Sequence, residues 1–173
     1  MQKIDYTLLD GQTYQLEFKG GYGHSVGIDV ALAEDVELHY GEFKICSLGF
    51  TMKVPDGYKA DLRPRSSTFK TWGVIQANSI GLFEPSYHGY SLEKSDTWAI
   101  PLFRPIDYVA LQQLATGDTT VLDDTITIPK GTRIGQIEIF KAQDEVELNL
   151  MSNEDYQKKY PTVRGGFGST GTI

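Results

Sequence analysis

Short runs of alternating apolar and polar residues, separated by turn residues, constrain the fold of this chain most. The clearest runs are Tyr14-Leu16-Phe18, Ile137-Ile139 and Val146-Leu148-Leu150. Because successive side chains point to opposite faces of a strand, each run predicts a strand with one buried face. Turn signals at 55–57 and 129–131, together with 18 glycines, suit a sandwich or barrel with many tight turns. The pattern therefore predicts an all-β fold.

The length of 173 residues fits one domain with its own core, and the sequence contains no internal repeat or linker. Its single cysteine, Cys46, cannot form a disulfide within the chain. The first 14 residues contain no apolar run long enough for a signal peptide or a membrane span. We expect one cytoplasmic domain covering residues 1–173, with no membrane partner.

A net charge of −7 without a lysine or arginine run lacks the positive field that binds nucleic acid. We therefore expect no nucleic-acid partner. A small anionic ligand is still compatible with this charge, because a few well-placed arginines and a divalent cation can hold a polyphosphate locally.

Two stretches have helical rather than alternating patterns. Residues 105–117 place apolar side chains at helical spacing, with Pro105 suited to the first turn and Gly117 to the end. Residues 152–160 begin with Ser152, a good capping residue. In a β protein the first helix is interpreted as an insertion.

Residues 63–68 combine two guanidinium groups with three hydroxyls. The groups belong to Arg63, Arg65, Ser66, Ser67 and Thr68. Such a cluster can hold phosphate oxygens through charge-assisted hydrogen bonds. The alternative is a polar loop with solvated arginines.

Three further polar residues stand in apolar surroundings. Residues 78–87 predict a β-hairpin around Gly81 with an accessible backbone, and Glu84 at its end could act as a general base on water. Asp29 could orient an arginine or a hydrated cation, and Gln136 places an amide within an alternating strand. The alternatives are a strand-end glutamate, a turn-capping aspartate and a surface glutamine.

The C-terminal residues combine glycine with an arginine, a ring and two hydroxyls. They are Arg164, Phe167, Gly168, Ser169 and Thr170, among further glycines. This composition is typical of a flexible flap that covers a phosphate, with the ring free to cover a base. A frayed terminus is the alternative.

In their order along the chain, these segments resemble the five sequence motifs of the trimeric deoxyuridine triphosphatase family. The matching segments are 26–30, 64–67, 78–89, 133–137 and 164–171. The long spacing before the fourth segment and the sequence of 72–84 are most similar to bacteriophage and prophage members.

The resemblance implies a jelly-roll subunit in a homotrimer with shared active sites, each closed by the C-terminal arm of a neighbour. It implies hydrolysis of dUTP to dUMP and pyrophosphate by attack of water on the α-phosphorus. Mg²⁺ would be held mainly by the substrate phosphates and water, with Asp29 beside that water rather than on the metal. For a phage protein the compartment would be the host cytoplasm.

The resemblance also assigns site residues. It implies three catalytic residues, with Glu84 as the base and Asp29 and Arg65 supporting the phosphate region. The implied substrate-binding residues are Ser66, Ser67, Asn78, Ile80, Gly81, Tyr87, Gln136, Arg164, Phe167, Gly168, Ser169 and Thr170. Among them, the 78–81 segment would read the uracil edge, Tyr87 would exclude a 2′-hydroxyl, and Phe167 would stack on the base.

Three departures from the family pattern qualify this assignment. Glu84 stands where the family usually has aspartate, and Arg164 lies two residues closer to Phe167 than is common. The third departure is the extra length around 104–124, which in some phage members resembles a docking surface for a repressor protein. Its alternative is a surface elaboration that stabilises the trimer.

Two other functions stay open at this point. A dCTP deaminase shares the fold and several motifs, but it needs a glutamate on the strand at 98–103, which has none. The other function is regulation of a phage by binding of a repressor protein, with dUTP hydrolysis as a secondary activity.

Overall fold

The computed structural model describes residues 3–9, 11–17, 26–87 and 97–161. The chain divides into two compact units, residues 1–142 and 143–173. The first unit contains the strands and two of the α-helices described below, and the second contains one helix. That the whole chain forms one domain stays a prediction.

The described part of the first unit forms eleven strands. They are β1 (Tyr6–Leu8), β2 (Ile28–Ala31), β3 (Val36–His39), β4 (Phe43–Ser47), β5 (Phe50–Met52), β6 (Tyr58–Pro64), β7 (Ile75–Gln76), β8 (Gly81–Phe83), β9 (Ala99–Phe103), β10 (Thr125–Ile128) and β11 (Arg133–Lys141).

These strands pair antiparallel in four small sheets. The largest has the order β2-β11-β6-β8, a second has the order β4-β9-β7, and β1-β5 and β10-β3 form two-stranded sheets. From β6 to β9 the chain alternates between the two larger sheets. Sheets that exchange consecutive strands enclose a common interior, and the architecture is a jelly roll. The prediction of an all-β jelly-roll fold is confirmed.

The core lies between the sheets and centres on Trp98. Its ring stacks on Phe83 with centroids 3.8 Å apart, and Phe50 packs against it at 5.4 Å. Strand residues that point inward, such as Leu62 and Ile137, are fully buried. Each buried side chain of this size contributes about 1.5–3 kcal/mol of hydrophobic free energy.

One of the three predicted alternating strands forms. Ile137 and Ile139 lie in β11, but Tyr14 and Leu16 lie in a segment without strand pairing, although both pack against the core. Phe18 lies outside the described residues. Tyr14 is held by its side chain, because its hydroxyl donates a hydrogen bond to the Leu48 carbonyl. The alternation at Tyr14 and Leu16 therefore reflects packing of side chains against the core and not hydrogen bonding between strands.

The third predicted strand, in the second unit, is also wrong. Residues 142–152 have no regular structure, and Leu148 and Leu150 are 93% and 98% exposed. Alternation predicts which side chains share a face, but a strand also needs a partner for its backbone groups.

Three α-helices form in the described residues. They are α1 (Thr68–Trp72), α2 (Tyr108–Ala115) and α3 (Asn153–Lys159), and a 3₁₀ turn covers Thr120–Asp123. The two predicted helices correspond to α2 and α3, whereas α1 was not predicted. None of the helices in the described ranges has the length and apolar character of a membrane span.

The caps explain where the predicted helices begin. The Asp107 carboxylate accepts a hydrogen bond from Ala110 N at 2.8 Å, so α2 begins after Asp107 and Pro105 lies before the helix instead of in its first turn. In the second unit, Ser152 Oγ accepts from Asp155 N at 3.1 Å, as predicted.

Arg104, which is buried, closes the base of the insertion at 104–124. Its guanidinium donates to the carbonyls of Leu38 (3.1 Å) and Asp124 (2.8 Å) and pairs with the Asp124 carboxylate. It also lies 3.8 Å from the centre of the Tyr40 ring. One buried cation thereby joins the two ends of the inserted segment.

Candidate active site

The first group of site residues surrounds the Asp29 carboxylate. Pairing of β2 with β11 places Gln136 directly opposite Asp29, and Gln136 Nε2 donates to Asp29 Oδ1 at 3.2 Å. Arg133 Nη1 donates to Asp29 Oδ2 at 3.1 Å, and Arg65 Nε lies 3.3 Å from Oδ1. The structure thus brings together three predicted residues and Arg133. We call these four residues the Asp29 cluster.

An irregular register in β11 lets both Arg133 and Gln136 reach Asp29. Residues three apart on a regular strand point to opposite faces, but the pairing with β2 shifts between Arg133 and Gly135. Gly27 provides the space for the amide, because a Cβ there would lie 3.2 Å from the Gln136 Cβ. Alternation alone therefore misses Arg133, and the signal that could have found it is the glycine at 135.

Arg65 is positioned by a turn after β6. Its backbone N–H donates to the Ile134 carbonyl at 3.2 Å, and Thr68 Oγ1 donates to the same carbonyl at 2.8 Å. The Arg65 Nε is buried and close enough to Asp29 for an ion pair, yet among the described residues it has no aligned hydrogen-bond acceptor. A buried N–H in this state can donate to a better-placed anionic acceptor.

Ser66 and Ser67 are exposed beside this turn. Ser67 precedes α1, but its side chain makes no capping hydrogen bond to the helix. Both hydroxyls therefore lie at the surface next to the Arg65 backbone, as a phosphate-binding role requires.

The electrostatics of the Asp29 cluster favour an anion. Two guanidinium groups face one carboxylate, so the sum of charges is positive. In the described part of the chain, no group of three or more His, Cys, Asp or Glu side chains could hold a metal ion. A divalent cation here would need ligands from a bound molecule and from water, as Mg²⁺ commonly has.

A cavity of about 400 Å³ adjoins the Asp29 cluster. Its lining residues are Tyr14, Gln15, Glu17, Gly27, Asp29, Ala31, Gly131 and Arg133. Burial raises the pKa of the Tyr14 phenol above its ordinary value, so Tyr14 stays a neutral hydroxyl. The cluster thus borders a space with room for a small ligand.

The second group of site residues lies between β7 and β8. Gln76 is buried, and its Nε2 donates to the Leu62 carbonyl at 3.1 Å and to Asn78 Oδ1 at 2.8 Å. Ile80 N donates to Asn78 O at 2.6 Å, which holds Ser79 at a positive φ of 61°. A non-glycine residue in this region is strained, and such strain is common at ligand sites.

The predicted hairpin at 78–87 does not form. β7 pairs with β9 in the three-stranded sheet, whereas β8 pairs with β6 in the four-stranded sheet. The turn therefore joins two sheets, and Gln76 ties it to β6. Gly81 allows a close approach to β6, because a Cβ there would lie 3.3 Å from the Leu62 Cβ.

Glu84 is exposed and not partly buried as its apolar neighbours suggested. Phe83 points into the core, and the next side chain along a strand points the opposite way. Tyr87 packs edge-on against Phe83 with centroids 5.4 Å apart, and Tyr87 N donates to Glu84 O at 3.0 Å. The two predicted residues are thus held in one turn.

Asp29 and Gly81 lie on opposite edge strands of the four-stranded sheet, β2 and β8, with β11 and β6 between them. Asp29 and Gln136 alternate with core residues and point outward, Gly81 borders Leu62 on the inward face, and Glu84 is exposed beyond β8. The remaining predicted residues, Arg164, Phe167, Gly168, Ser169 and Thr170, lie outside the described residues.

The chain is thus an antiparallel jelly roll that presents a positive site beside exposed hydroxyls, a class of β protein suited to bind a small anionic ligand. A comparison with protein-family models finds no match. The chain is 40% identical over 148 residues to the SPbeta prophage-derived deoxyuridine 5′-triphosphate nucleotidohydrolase YosS of Bacillus subtilis, covering 84% of this chain and 83% of that protein.

Solved structures show the same fold. A single-residue mutant of the dUTPase of Staphylococcus bacteriophage 80alpha, with dUpNHpp, matches with a TM-score of 0.69 and 19% identity over 99% of this chain and 100% of that chain. A mutant dUTPase from phage phi11 of S. aureus, described with a structural Mg(II) ion, matches with a TM-score of 0.65 and 16% identity over 88% and 99%. The chain belongs to the deoxyuridine 5′-triphosphate nucleotidohydrolase (dUTPase) family.

Proposed function

We propose that this protein hydrolyses dUTP to dUMP and pyrophosphate by attack of water on the α-phosphorus. The observation that carries the proposal is the Asp29 cluster, in which a carboxylate aligns two guanidinium groups beside exposed hydroxyls. Family membership supplies the substrate. Such a reaction needs positioning, charge neutralisation and an activated water.

The Asp29 cluster would bind the triphosphate. Ser66, Ser67 and Gln136 would donate hydrogen bonds to phosphate oxygens, while Asp29 would hold Arg65 in place. We assign Arg133 the same phosphate-binding role, because it pairs with the Asp29 carboxylate as Arg65 does. Opposing charge on the guanidinium groups would stabilise the negative charge that develops on the phosphate oxygens.

The turn between β7 and β8 would bind the nucleoside. Asn78, Ile80 and Gly81 would contact the uracil edge, and the fixed geometry of this turn favours recognition of one base. Tyr87, half-exposed and packed on Phe83, would lie against the deoxyribose and exclude a 2′-hydroxyl.

Glu84 would act as the general base on the attacking water. Its exposure in a single chain leaves the carboxylate accessible, and the added methylene relative to aspartate moves it farther from its backbone. Because a shift of about 1 Å can change a rate on the order of a hundredfold, the turn that carries Glu84 must compensate for the longer side chain.

Mg²⁺ would supply charge neutralisation at the phosphates when bound. The ion would be held mainly by phosphate oxygens and water. Asp29 is suited to accept hydrogen bonds from that water.

We propose a homotrimer with active sites shared between copies. Support comes from the positions of the two groups, since Asp29 and Gly81 lie on opposite edge strands of one sheet, with two strands between them. A site built from both would draw one group from a second copy. The flap residues Arg164, Phe167, Gly168, Ser169 and Thr170 would close over the nucleotide, with Phe167 on the uracil and Arg164, Ser169 and Thr170 on the terminal phosphates.

Incubation of the purified protein with dUTP, UTP and dCTP in the presence of Mg²⁺ tests the activity. Pyrophosphate should form from dUTP and not from UTP or dCTP. Release of ammonia from dCTP, or absence of turnover with every nucleotide, would contradict the proposal.

A second function, binding of a repressor protein, is favoured by the surface of the insertion at 104–124. Tyr108, Val109 and Leu111 on α2 are each more than half exposed. Exposed apolar side chains on one short helix are typical of a docking site. If this is the site, Tyr108→Ala with Val109→Ala should weaken binding to a purified phage repressor at least about tenfold and leave dUTP hydrolysis unchanged.

A further inference from the structure

The turn that carries Glu84 and Tyr87 receives a hydrogen bond from a distant part of the chain. Lys53, which follows β5, donates from Nζ to the Pro85 carbonyl at 2.7 Å. The two residues are 32 positions apart, and Pro85 lies between Glu84 and the rest of the turn. A charged donor makes this a strong type of hydrogen bond.

The base of the lysine is fixed. Its neighbours Met52 and Val54 are buried, and Lys53 N donates to Asp5 O at 3.0 Å beside the β1-β5 pair. The side chain therefore starts from a rigid backbone and spans the surface to the turn. A second contact, 3.3 Å to Asp56 Oδ1, is weak, because the Asp56 side chain is 91% exposed.

The contacts of the turn itself are mostly local. The last ladder pair of β8 joins Phe83 to Ala60, so residues 84–87 lie beyond the sheet. Within the turn, Tyr87 N donates to Glu84 O, and the Tyr87 ring contacts Phe83. Of these contacts, only the bond from Lys53 ties the Glu84–Pro85 backbone to a separate strand.

We propose that Lys53 is a positioning residue that orients Glu84 and Tyr87 through the Pro85 carbonyl. This inference rests on the proposed function of Glu84 and Tyr87 in dUTP hydrolysis. The Glu84 carboxylate lies one rotatable bond farther from its backbone than an aspartate carboxylate would. A small shift of the Glu84 backbone therefore moves the carboxylate farther from the attacking water. Lys53 restricts that backbone without touching substrate.

The test compares Lys53→Met, Lys53→Arg and the matched control Asp56→Asn. Methionine keeps the unbranched apolar stem and removes the donor, arginine restores a charged donor, and Asp56→Asn removes the charge of the other contact of Lys53. For Lys53→Met we expect kcat with dUTP to fall about threefold to tenfold, because an exposed bond restrains the turn only in part. The preference for dUTP over UTP should also fall.

Four further readouts separate positioning from a general loss of structure. Lys53→Arg should recover at least half of the wild-type kcat, Asp56→Asn should stay within about twofold of it, and KM should change less than kcat. Amide hydrogen exchange in a peptide covering residues 81–87 should speed up in Lys53→Met alone.

The outcomes are decisive in each direction. Wild-type kcat and unchanged exchange in Lys53→Met would overturn the role of Lys53 while leaving dUTP hydrolysis intact. An equal loss in Lys53→Met and Asp56→Asn would overturn it as well, since Asp56→Asn keeps the hydrogen bond from Lys53 to the Pro85 carbonyl. A wild-type protein that releases no pyrophosphate from dUTP would overturn the proposed function and the role of Lys53 with it.

Discussion

At the scale of single residues, Asp29 determines the geometry of the positive site. It accepts hydrogen bonds from Gln136 and Arg133 and pairs with Arg65, while its side chain is about a quarter exposed (28%). Ion pairs that reach solvent contribute little to stability, commonly about 0–1 kcal/mol. Asp29 therefore contributes little to the free energy of unfolding, and its main effect is to orient Arg65, Arg133 and Gln136.

Replacement of Asp29 by asparagine should lower kcat/KM for dUTP about tenfold to a hundredfold, because the two guanidinium groups lose their shared carboxylate. The melting temperature should change by no more than about 2 °C. Steady-state kinetics and thermal unfolding measure the two effects. Asp144→Asn, an exposed carboxylate outside the cluster, is the control. Equal kinetics in both variants would refute the role of Asp29.

Replacement of Glu84 by glutamine tests the general base. The amide has nearly the same size but cannot accept a proton from water, so kcat should fall at least about a hundredfold. KM should stay within about threefold, because Glu84 is expected to contact the water and not the bound nucleotide. Single-turnover rates with dUTP provide the measurement. A variant with the wild-type rate would exclude Glu84 as the base.

At the scale of elements, helix α2 depends on one carboxylate at its start. The Ala110 backbone N–H, followed by the Tyr40 hydroxyl, holds the pKa of Asp107 below its ordinary value. The same hydrogen bond with Asp107 raises the pKa of the Tyr40 phenol. Two hydrogen-bond donors on one carboxylate favour its ionised form, and this form caps the helix.

This cap should make the insertion sensitive to acid. A carboxyl group whose folded pKa is lowered stabilises the folded state above its unfolded pKa, near 3.8, and this stabilisation is lost as the pH falls through the folded pKa. Asparagine caps nearly as well without titrating. Urea unfolding at about pH 6 and about pH 3 should therefore show a larger loss for wild type than for Asp107→Asn. Parallel losses in the two proteins would contradict this account.

The elements also differ in how well their sequences predict them. Helices α2 and α3 were predictable because their signals, a capping side chain and apolar spacing, lie within the same few residues. The turn at 77–80 was not, because its shape depends on a bond from Gln76 to Leu62, which lies 14 residues away in another sheet. Short alternating runs at 14–18 and 146–150 failed for the same reason, since strands need distant partners.

At the scale of the whole molecule, the separation of the two groups across one sheet indicates how copies would cooperate. Asp29 lies on the edge strand β2 and Gly81 on the opposite edge strand β8. If active sites are shared, the Asp29 cluster of one copy works with the Glu84 turn of another.

Mixing of two impaired variants tests this arrangement. Unfolded Asp29→Asn and Glu84→Gln chains, refolded together in equal amounts, should regain about a quarter of the wild-type activity, because about one site in four would draw both native residues from different copies. Each variant refolded alone provides the control, and dUTP turnover per chain is measured. No gain on mixing would show that each site is built from one copy.

The sequence by itself determined the β character, the two capped helices, the ordered motifs and the identity of most candidate residues, because these depend on local spacing and side-chain chemistry. Only the tertiary structure decided which of them meet. Arg133 joins Asp29 through an irregular register, Glu84 lies exposed because Phe83 fills the core, and the predicted hairpin is a connection between sheets. These features arise from pairing between strands far apart in the chain, and local patterns carry no information on that pairing.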